Sequence, residues 1–129
     1  MKNRRFPTAR DTGSGFPLAV TTVAGTVAGR TVPEFLINIL WLIDKNERLG
    51  KLEIPFPTSG ANYLLACSPE HKTGRPFSAF LRYESGRSKA TIYVNTNHPR
   101  FFGLRQGVRL LDAAGLAPRY LQGESAEEV

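Results

Sequence analysis

The chain has 129 residues, enough for one domain with a single hydrophobic core. Hydrophobic residues make up 41% and charged residues 22%, as in ordinary globular proteins, and the longest apolar run is about half of the ~20 residues that a membrane-spanning helix needs. Cys67 is the only cysteine, so an internal disulfide and a cysteine-based zinc site are excluded and a reducing, cytoplasmic setting is predicted.

The net charge of +6 is unevenly distributed along the chain. Residues 49–111 contain nine basic and three acidic side chains, whereas residues 112–129 contain one basic and four acidic. An anionic partner is therefore expected to meet the middle of the chain.

The chain begins with a basic segment, residues 1–15, that is poor in apolar residues and is predicted to be a flexible arm. Residues 16–23 follow with several β-branched side chains, which favour a strand. Gly25 and Gly29 are predicted to interrupt regular structure before the first helix.

The central feature is a helix predicted over residues 32–48. Residues 35–43 are apolar except for Asn38, and Thr31 with Glu34 forms a T-x-x-E capping box at the start. Gly50 is the predicted stop. A helix that is apolar on nearly every side must be covered on nearly every side, so Trp41 is expected to pack in the core.

The next part of the chain contains the predicted strands. Residues 51–54 alternate and end at a proline, residues 62–68 form an apolar run that would bury Cys67, and residues 77–84 and 90–95 follow. The sequence Ser-Gly-Arg-Ser at 85–88 lies between the last two strands and predicts a hairpin.

A second helix is predicted over residues 98–114, with Asn97 as its N-cap and Gly115 after its end. A stripe of Phe101, Leu104, Val108 and Leu111 has helical spacing. Gly103 and Gly107 are costly inside a helix and suggest close approach to another part of the backbone. Residues 116–121 are expected to pack back on the core, and residues 122–129 to form an acidic disordered tail.

These elements predict an α+β fold over residues 16–121, with an antiparallel sheet of three to five strands packed by two helices. The order α-β-β-β-α, with Pro69, Glu70 and His71 before Phe77, resembles double-stranded-RNA-binding domains. The basic, Gly/Ser/Lys-rich start of that family's second helix, which carries its phosphate contacts, is absent. Asn-His-Pro-Arg at 97–100 replaces it, so the family's function is not carried over.

The favoured function is a small, non-enzymatic nucleic-acid-binding domain without a cofactor. One face of the predicted hairpin mixes basic and aromatic side chains, which supply phosphate affinity and stacking platforms for unpaired bases. The start of the second helix also offers free N–H groups to a phosphate. The predicted contact residues are Arg82, Arg87, Lys89, Tyr93, Asn97, Arg100, Arg105 and Arg109.

Two other functions remain open. His71 and His98, the only histidines, could with Glu70 and Glu84 cleave RNA by acid–base catalysis without a metal, as small ribonuclease toxins do. Arg82 or Arg87 would then hold the phosphate. Alternatively, the basic surface could dock on an acidic protein as a regulator. No phosphate-binding glycine loop, G-x-S-x-G motif or helical H-x-x-x-H metal pair is present in the sequence.

Overall fold

A computed structural model of the chain describes residues 17–120. The predicted arm 1–15 and acidic tail 122–129 lie outside these residues. The chain has two antiparallel sheets and two α-helices in this range, which confirms the predicted α+β class. The elements in order are β1 (Leu18–Thr22), β2 (Gly25–Gly29), α1 (Val32–Lys45), β3 (Phe56–Pro57), β4 (Tyr63–Ala66), β5 (Phe80–Glu84), β6 (Thr91–Asn95), α2 (Arg100–Ala113) and β7 (Arg119–Tyr120). Neither helix is long and apolar enough to cross a membrane within residues 17–120.

Helix α1 starts as predicted and ends earlier. Thr31 Oγ1 accepts the Glu34 N–H over 3.2 Å, but the Glu34 carboxylate accepts from the Arg30 N–H, one residue ahead of the partner in a standard capping box. The helix stops at Lys45, and Glu47 adopts a left-handed φ of 61°. The predicted end at Gly50 is therefore wrong, because Glu47 takes the conformation expected of a terminal glycine.

Helix α1 is the centre of the core. Its side chains at Phe35, Leu36, Ile39, Leu40 and Ile43 have no solvent exposure, and the helix packs on β1, β2, α2 and β5. Trp41 is 55% exposed instead, with the Lys45 ammonium 4.7 Å from its ring centre. The prediction that Trp41 lies in the core is wrong, because the packed elements leave one side of α1 open.

The first sheet has the strand order β2-β1-β7, and its strands β1 and β2 pack on α1. Strand β1 is confirmed, but Gly25 and Gly29 bound a second strand instead of interrupting the structure. Gly25 makes the tight turn with a φ of +125°, and Gly29 lets the backbone pass directly against the first turn of α1. Leu116 is buried, and the chain after it pairs with β1 through β7, as expected of a segment that packs back.

The second sheet has the order β3-β4-β6-β5, so β4 and β6 are its central strands. The predicted hairpin is confirmed as β5 and β6, with the Ser85 N–H donating to the Ala90 carbonyl over 2.9 Å. The predicted strand at 51–54 is wrong: a 3-10 turn occupies Leu49–Lys51, and pairing starts at Phe56, after the cis peptide bond Ile54–Pro55. Cys67 is exposed, contrary to prediction, because β4 ends at Ala66.

Helix α2 begins at Arg100, and Pro99 occupies the N-cap position without a side-chain bond. The prediction of Asn97 as N-cap is therefore wrong; its own N–H donates to Asn95 Oδ1. Phe101 is 70% exposed and does not belong to the buried stripe. The helix instead approaches α1 through Gly103 and Gly107, where an added Cβ would meet side chains of α1.

Candidate functional site: a histidine cleft beside an aromatic sheet face

The structure brings both histidines of the chain to one cleft of about 680 Å³. His71 comes from the loop that follows β4, and His98 from the segment between β6 and α2. The cleft lies where these two segments meet the loop at 58–62. Residues 27 positions apart in sequence therefore contribute to one site.

The loop that carries His71 is shaped by a tight turn. The His71 N–H donates to the Arg75 carbonyl over 2.8 Å, and the Gly74 N–H donates to the His71 carbonyl. Gly74 has a φ of +88°, which the turn requires. The His71 ring packs on the buried Phe77, with 4.7 Å between ring centres. Its Nδ1 accepts the Tyr63 N–H over 3.2 Å. Burial, and then the positive charge of Arg75, lower the pKa of His71 below its ordinary value.

His98 is fixed by contacts with β6 and α2. Its Nε2 lies 2.7 Å from the Asn95 carbonyl oxygen, and its ring packs against Phe102 of α2 with 5.5 Å between centres. Burial lowers the pKa of His98, although the bond to the Asn95 carbonyl acts in the opposite direction. Both histidines are therefore favoured in the neutral form near pH 7.

Asn95, at the end of β6, connects the two histidine anchors. Its Nδ2 donates to the Tyr63 carbonyl over 3.0 Å, while its own carbonyl accepts from His98. Tyr63 in turn donates its N–H to His71. Adjacent central strands of the sheet thus hold both rings through a continuous set of hydrogen bonds.

The loop at 58–62 is held by Gln106, which has no solvent exposure. The Gln106 Oε1 accepts the Ser59 N–H over 3.1 Å, and its Nε2 donates to Ser59 Oγ over 2.9 Å. Sequence reasoning missed this residue, because a glutamine on a helix carries no signal of such a role.

The electrostatic character of the cleft favours an anion. Among its described lining residues, Arg75 is a cation, and none is a carboxylate. Asn97 adds an exposed amide, and α2 begins at the cleft, with Pro99 and Phe102 in its wall. The first-turn N–H groups of a helix attract negative charge. Arg75 was not predicted as a site residue, although its position in a basic loop beside His71 was a usable signal.

A row of aromatic rings joins the cleft to the outer face of the second sheet. Phe77 packs on His71, Phe80 lies 6.4 Å from Phe77, and Tyr93 lies 5.6 Å from Phe80, measured between ring centres. Phe80 is 44% exposed. Arg82 is the register partner of Tyr93 on the same face. The predicted mixed basic and aromatic face therefore lies next to the histidine cleft.

The carboxylates proposed for catalysis lie elsewhere. Glu84 pairs with Arg82 over 3.2 Å, with both side chains more than half exposed. Glu70 is exposed and is not among the residues that line the cleft. The structure thus brings His71 and His98 together without either glutamate.

The remaining predicted contact residues are distributed over two elements. Arg87 lies in the β5–β6 turn, 3.6 Å from the Glu47 carboxylate, and the exposed Lys89 follows it with a φ of 64°. On α2, Arg105 is exposed, while Arg100 donates to the Arg30 carbonyl. Arg109 donates to the Pro57 carbonyl and to Gln106, and lies over the Phe56 ring. The structure therefore brings Arg82, Tyr93 and Asn97 near the cleft, and gives Arg100 and Arg109 contacts that hold α2 to loops.

A second cleft of about 540 Å³ contains the buried carboxylate of Asp44. Asp44 accepts hydrogen bonds from the Tyr83 hydroxyl over 2.6 Å and from Ser85 Oγ over 3.1 Å. Burial and the bond to Asp44 raise the pKa of Tyr83 far above its usual range. These bonds fasten the end of α1 to the hairpin, which accounts for the buried carboxylate.

Comparisons of the chain with models of protein families, with curated proteins and with solved structures found no match. Residues 17–120 bring together no group of three or more histidine, cysteine or acidic side chains that could hold a metal ion.

Proposed function

We propose that the protein is a cytoplasmic nucleic-acid-binding domain that takes a single strand across the histidine cleft and the adjoining sheet face. The observation that carries the proposal is the continuous row from His71 through Phe77 and Phe80 to Tyr93, which links an anion-favouring cleft to an exposed stacking surface. Cys67, a free thiol, is compatible with a reducing compartment such as the cytoplasm.

The aromatic face is suited to unpaired bases. A ring that is 44% exposed on a sheet can stack a base, at about 1–3 kcal/mol per base. Bases in a duplex are already stacked on one another and do not offer their faces to protein rings. Phe80 and Tyr93 therefore favour a single strand over a double helix.

The charges at this surface are suited to the backbone of that strand. Arg75 at the cleft has no ion pair among the described residues, and Arg82 has only an exposed pair with Glu84, worth about 0–1 kcal/mol. A phosphate can replace the Glu84 carboxylate at small cost. Asn97 adds an amide donor at the cleft, and the exposed Lys89 and Arg105 supply charge further out.

The test compares binding of single- and double-stranded RNA and DNA by fluorescence anisotropy, with variants that separate the two halves of the surface. Phe80→Ala is expected to weaken single-strand binding about tenfold, as loss of one stacked base implies. Phe101→Ala removes an exposed phenylalanine outside this face and is expected to change nothing.

A second matched pair tests the cleft. Arg75→Ala is expected to weaken binding, and Arg119→Ala, an exposed arginine on the first sheet, is expected to leave it unchanged. Equal affinity of all four variants and the wild type would contradict the proposal. A complex with an acidic protein that survives nuclease treatment, with no affinity for any nucleic acid, would favour a protein-interaction regulator instead.

A further inference from the structure

The two histidines of the cleft hold the same tautomer, with the proton on Nε2, but the main chain binds a different ring nitrogen in each, Nδ1 of His71 and Nε2 of His98. A main-chain N–H can only donate, so the Tyr63 N–H requires a lone pair on His71 Nδ1 and places the ring proton on Nε2. A carbonyl oxygen can only accept, so the Asn95 carbonyl requires a proton on His98 Nε2 and leaves a lone pair on Nδ1. One ring thus offers a ligand a donor and the other offers an acceptor.

His71 is held in the neutral form. A second proton would sit on Nδ1, facing the Tyr63 N–H at 3.2 Å, and the loss of that bond would add to the repulsion from Arg75. His71 is therefore unsuited to act as an imidazolium acid, as the two-histidine hypothesis would require. It remains a hydrogen-bond donor through Nε2.

His98 can gain a proton without losing its anchor. The bond from Nε2–H to the Asn95 carbonyl persists when Nδ1 is protonated, and the carbonyl dipole stabilises the cation. No residue in 17–120 makes a hydrogen bond to Nδ1. This is the arrangement of a general base whose second nitrogen is oriented by a fixed acceptor.

We propose that His98 is the general base of an RNA-cleaving site, with His71 and Arg75 as donors to the phosphate. The inference rests on the proposed binding of single-stranded nucleic acid. His98 Nδ1 takes the proton of a ribose 2′-hydroxyl as the 2′-oxygen bonds to phosphorus. The bond from phosphorus to the 5′-oxygen breaks, that oxygen takes a proton from water, and the hydroxide so formed removes the proton from His98.

The products are a 2′,3′-cyclic phosphate and a 5′-hydroxyl. Charge that develops on the non-bridging oxygens is met by His71 Nε2–H and by the guanidinium of Arg75, both from the same loop. The 2′-hydroxyl is the nucleophile, so DNA is a ligand but not a substrate.

The experiment incubates end-labelled single-stranded RNA with the full chain in the presence of EDTA, and follows both binding and product. We expect cyclic phosphate ends, and no cleavage of an oligonucleotide with 2′-deoxyribose throughout. His98→Asn, purified identically, is expected still to bind RNA and to cleave at least about 100-fold more slowly at saturating protein. Phe101→Ala serves as the control with unchanged cleavage.

A third variant distinguishes loss of the general base from damage to the fold. His98→Ala is expected to recover part of the cleavage rate when free imidazole is added, which a merely structural role would not allow. RNA that is bound but left intact, or cleaved equally by His98→Asn, would overturn this inference while leaving the proposed binding function in place. Failure to bind any single strand would overturn both.

Discussion

Asn95 donates a hydrogen bond from Nδ2 to the main-chain oxygen of Tyr63 over 3.0 Å, and this bond joins the strand that anchors His98 to the strand that anchors His71. Asn95 is buried, and its Oδ1 also accepts the Asn97 N–H. One amide therefore sets the separation of the two histidine-bearing segments. The geometry of the cleft depends on the pairing of β4 with β6 rather than on the loops alone.

Asn95→Ala is expected to lower the free energy of unfolding by about 2 kcal/mol, because it leaves the Tyr63 carbonyl and the Asn97 N–H without their partner. Urea unfolding measures this change. The control is Asn97→Ala, whose side chain is exposed and whose effect should stay within about 0.5 kcal/mol. Equal stability of the two variants would show that the buried amide does not hold the strands.

Gly107→Ala is expected to destabilise the protein by about 1–2 kcal/mol, although alanine is the better helix former. The added Cβ would lie 2.5 Å from Phe35 Cε2 and 2.6 Å from Ile39 Cδ1, so these buried side chains or the two helices must shift. Thermal or urea unfolding measures the loss. Gly86→Ala, where a Cβ meets open space, should change stability by less than about 0.5 kcal/mol.

Acidification is expected to destabilise the folded state through both histidines. Burial holds the pKa of His71 and His98 below the 6.5 of an unfolded chain, so the unfolded state takes up protons first as the pH falls. Their contribution to stability is complete above pH 6.5 and is lost progressively below it. Urea unfolding across this range should show a steeper loss for the wild type than for a variant with both His71→Gln and His98→Gln. Parallel curves would contradict the neutral assignment.

Salt is expected to weaken nucleic-acid binding to a moderate degree. About three phosphate contacts on a single strand give a slope near −2 in log affinity against log salt, so a rise from about 50 to about 200 mM should weaken binding about twentyfold. Anisotropy titrations at four salt concentrations measure the slope. Arg75→Ala should make the slope shallower by the amount that about one phosphate contact contributes. A flat response would rule out phosphates as the main partner of this surface.

The sequence predicted the elements whose signals are local. Four such signals depend only on neighbours in the chain, and the structure contains the feature that each one predicted. They are the apolar run of α1, its Thr31 cap, the turn at 85–88 and the spacing of Gly103 and Gly107. The errors at Trp41 and Cys67 have a different origin. Elements distant in sequence decide which side of a helix stays exposed to solvent, and whether the residue after a strand is covered. The type of residue at that position does not indicate either outcome.

The candidate site was predicted in part for the same reason. Both histidines were identified from the sequence as candidate acid–base residues. Their placement in one cleft, however, depends on the pairing of β4 with β6 and on the Asn95 side chain. The tautomers depend on the main-chain N–H of Tyr63 and the main-chain carbonyl of Asn95, and no pattern of side chains in the sequence indicates these partners. The sheet face with Phe80, Arg82 and Tyr93 followed from strand alternation, a local signal that the structure retains.

The most direct test of the binding surface is a titration of the ¹⁵N-labelled protein with a single-stranded RNA, observed at the imidazole nitrogens. Before RNA is added, the spectra should show the proton on Nε2 in both rings, His71 with Nδ1 hydrogen-bonded and His98 with Nδ1 free. As RNA is added, the signals of both histidines should shift together and saturate with the affinity found by anisotropy. Histidine signals that stay unchanged while RNA binds would place the ligand elsewhere and contradict the proposed site.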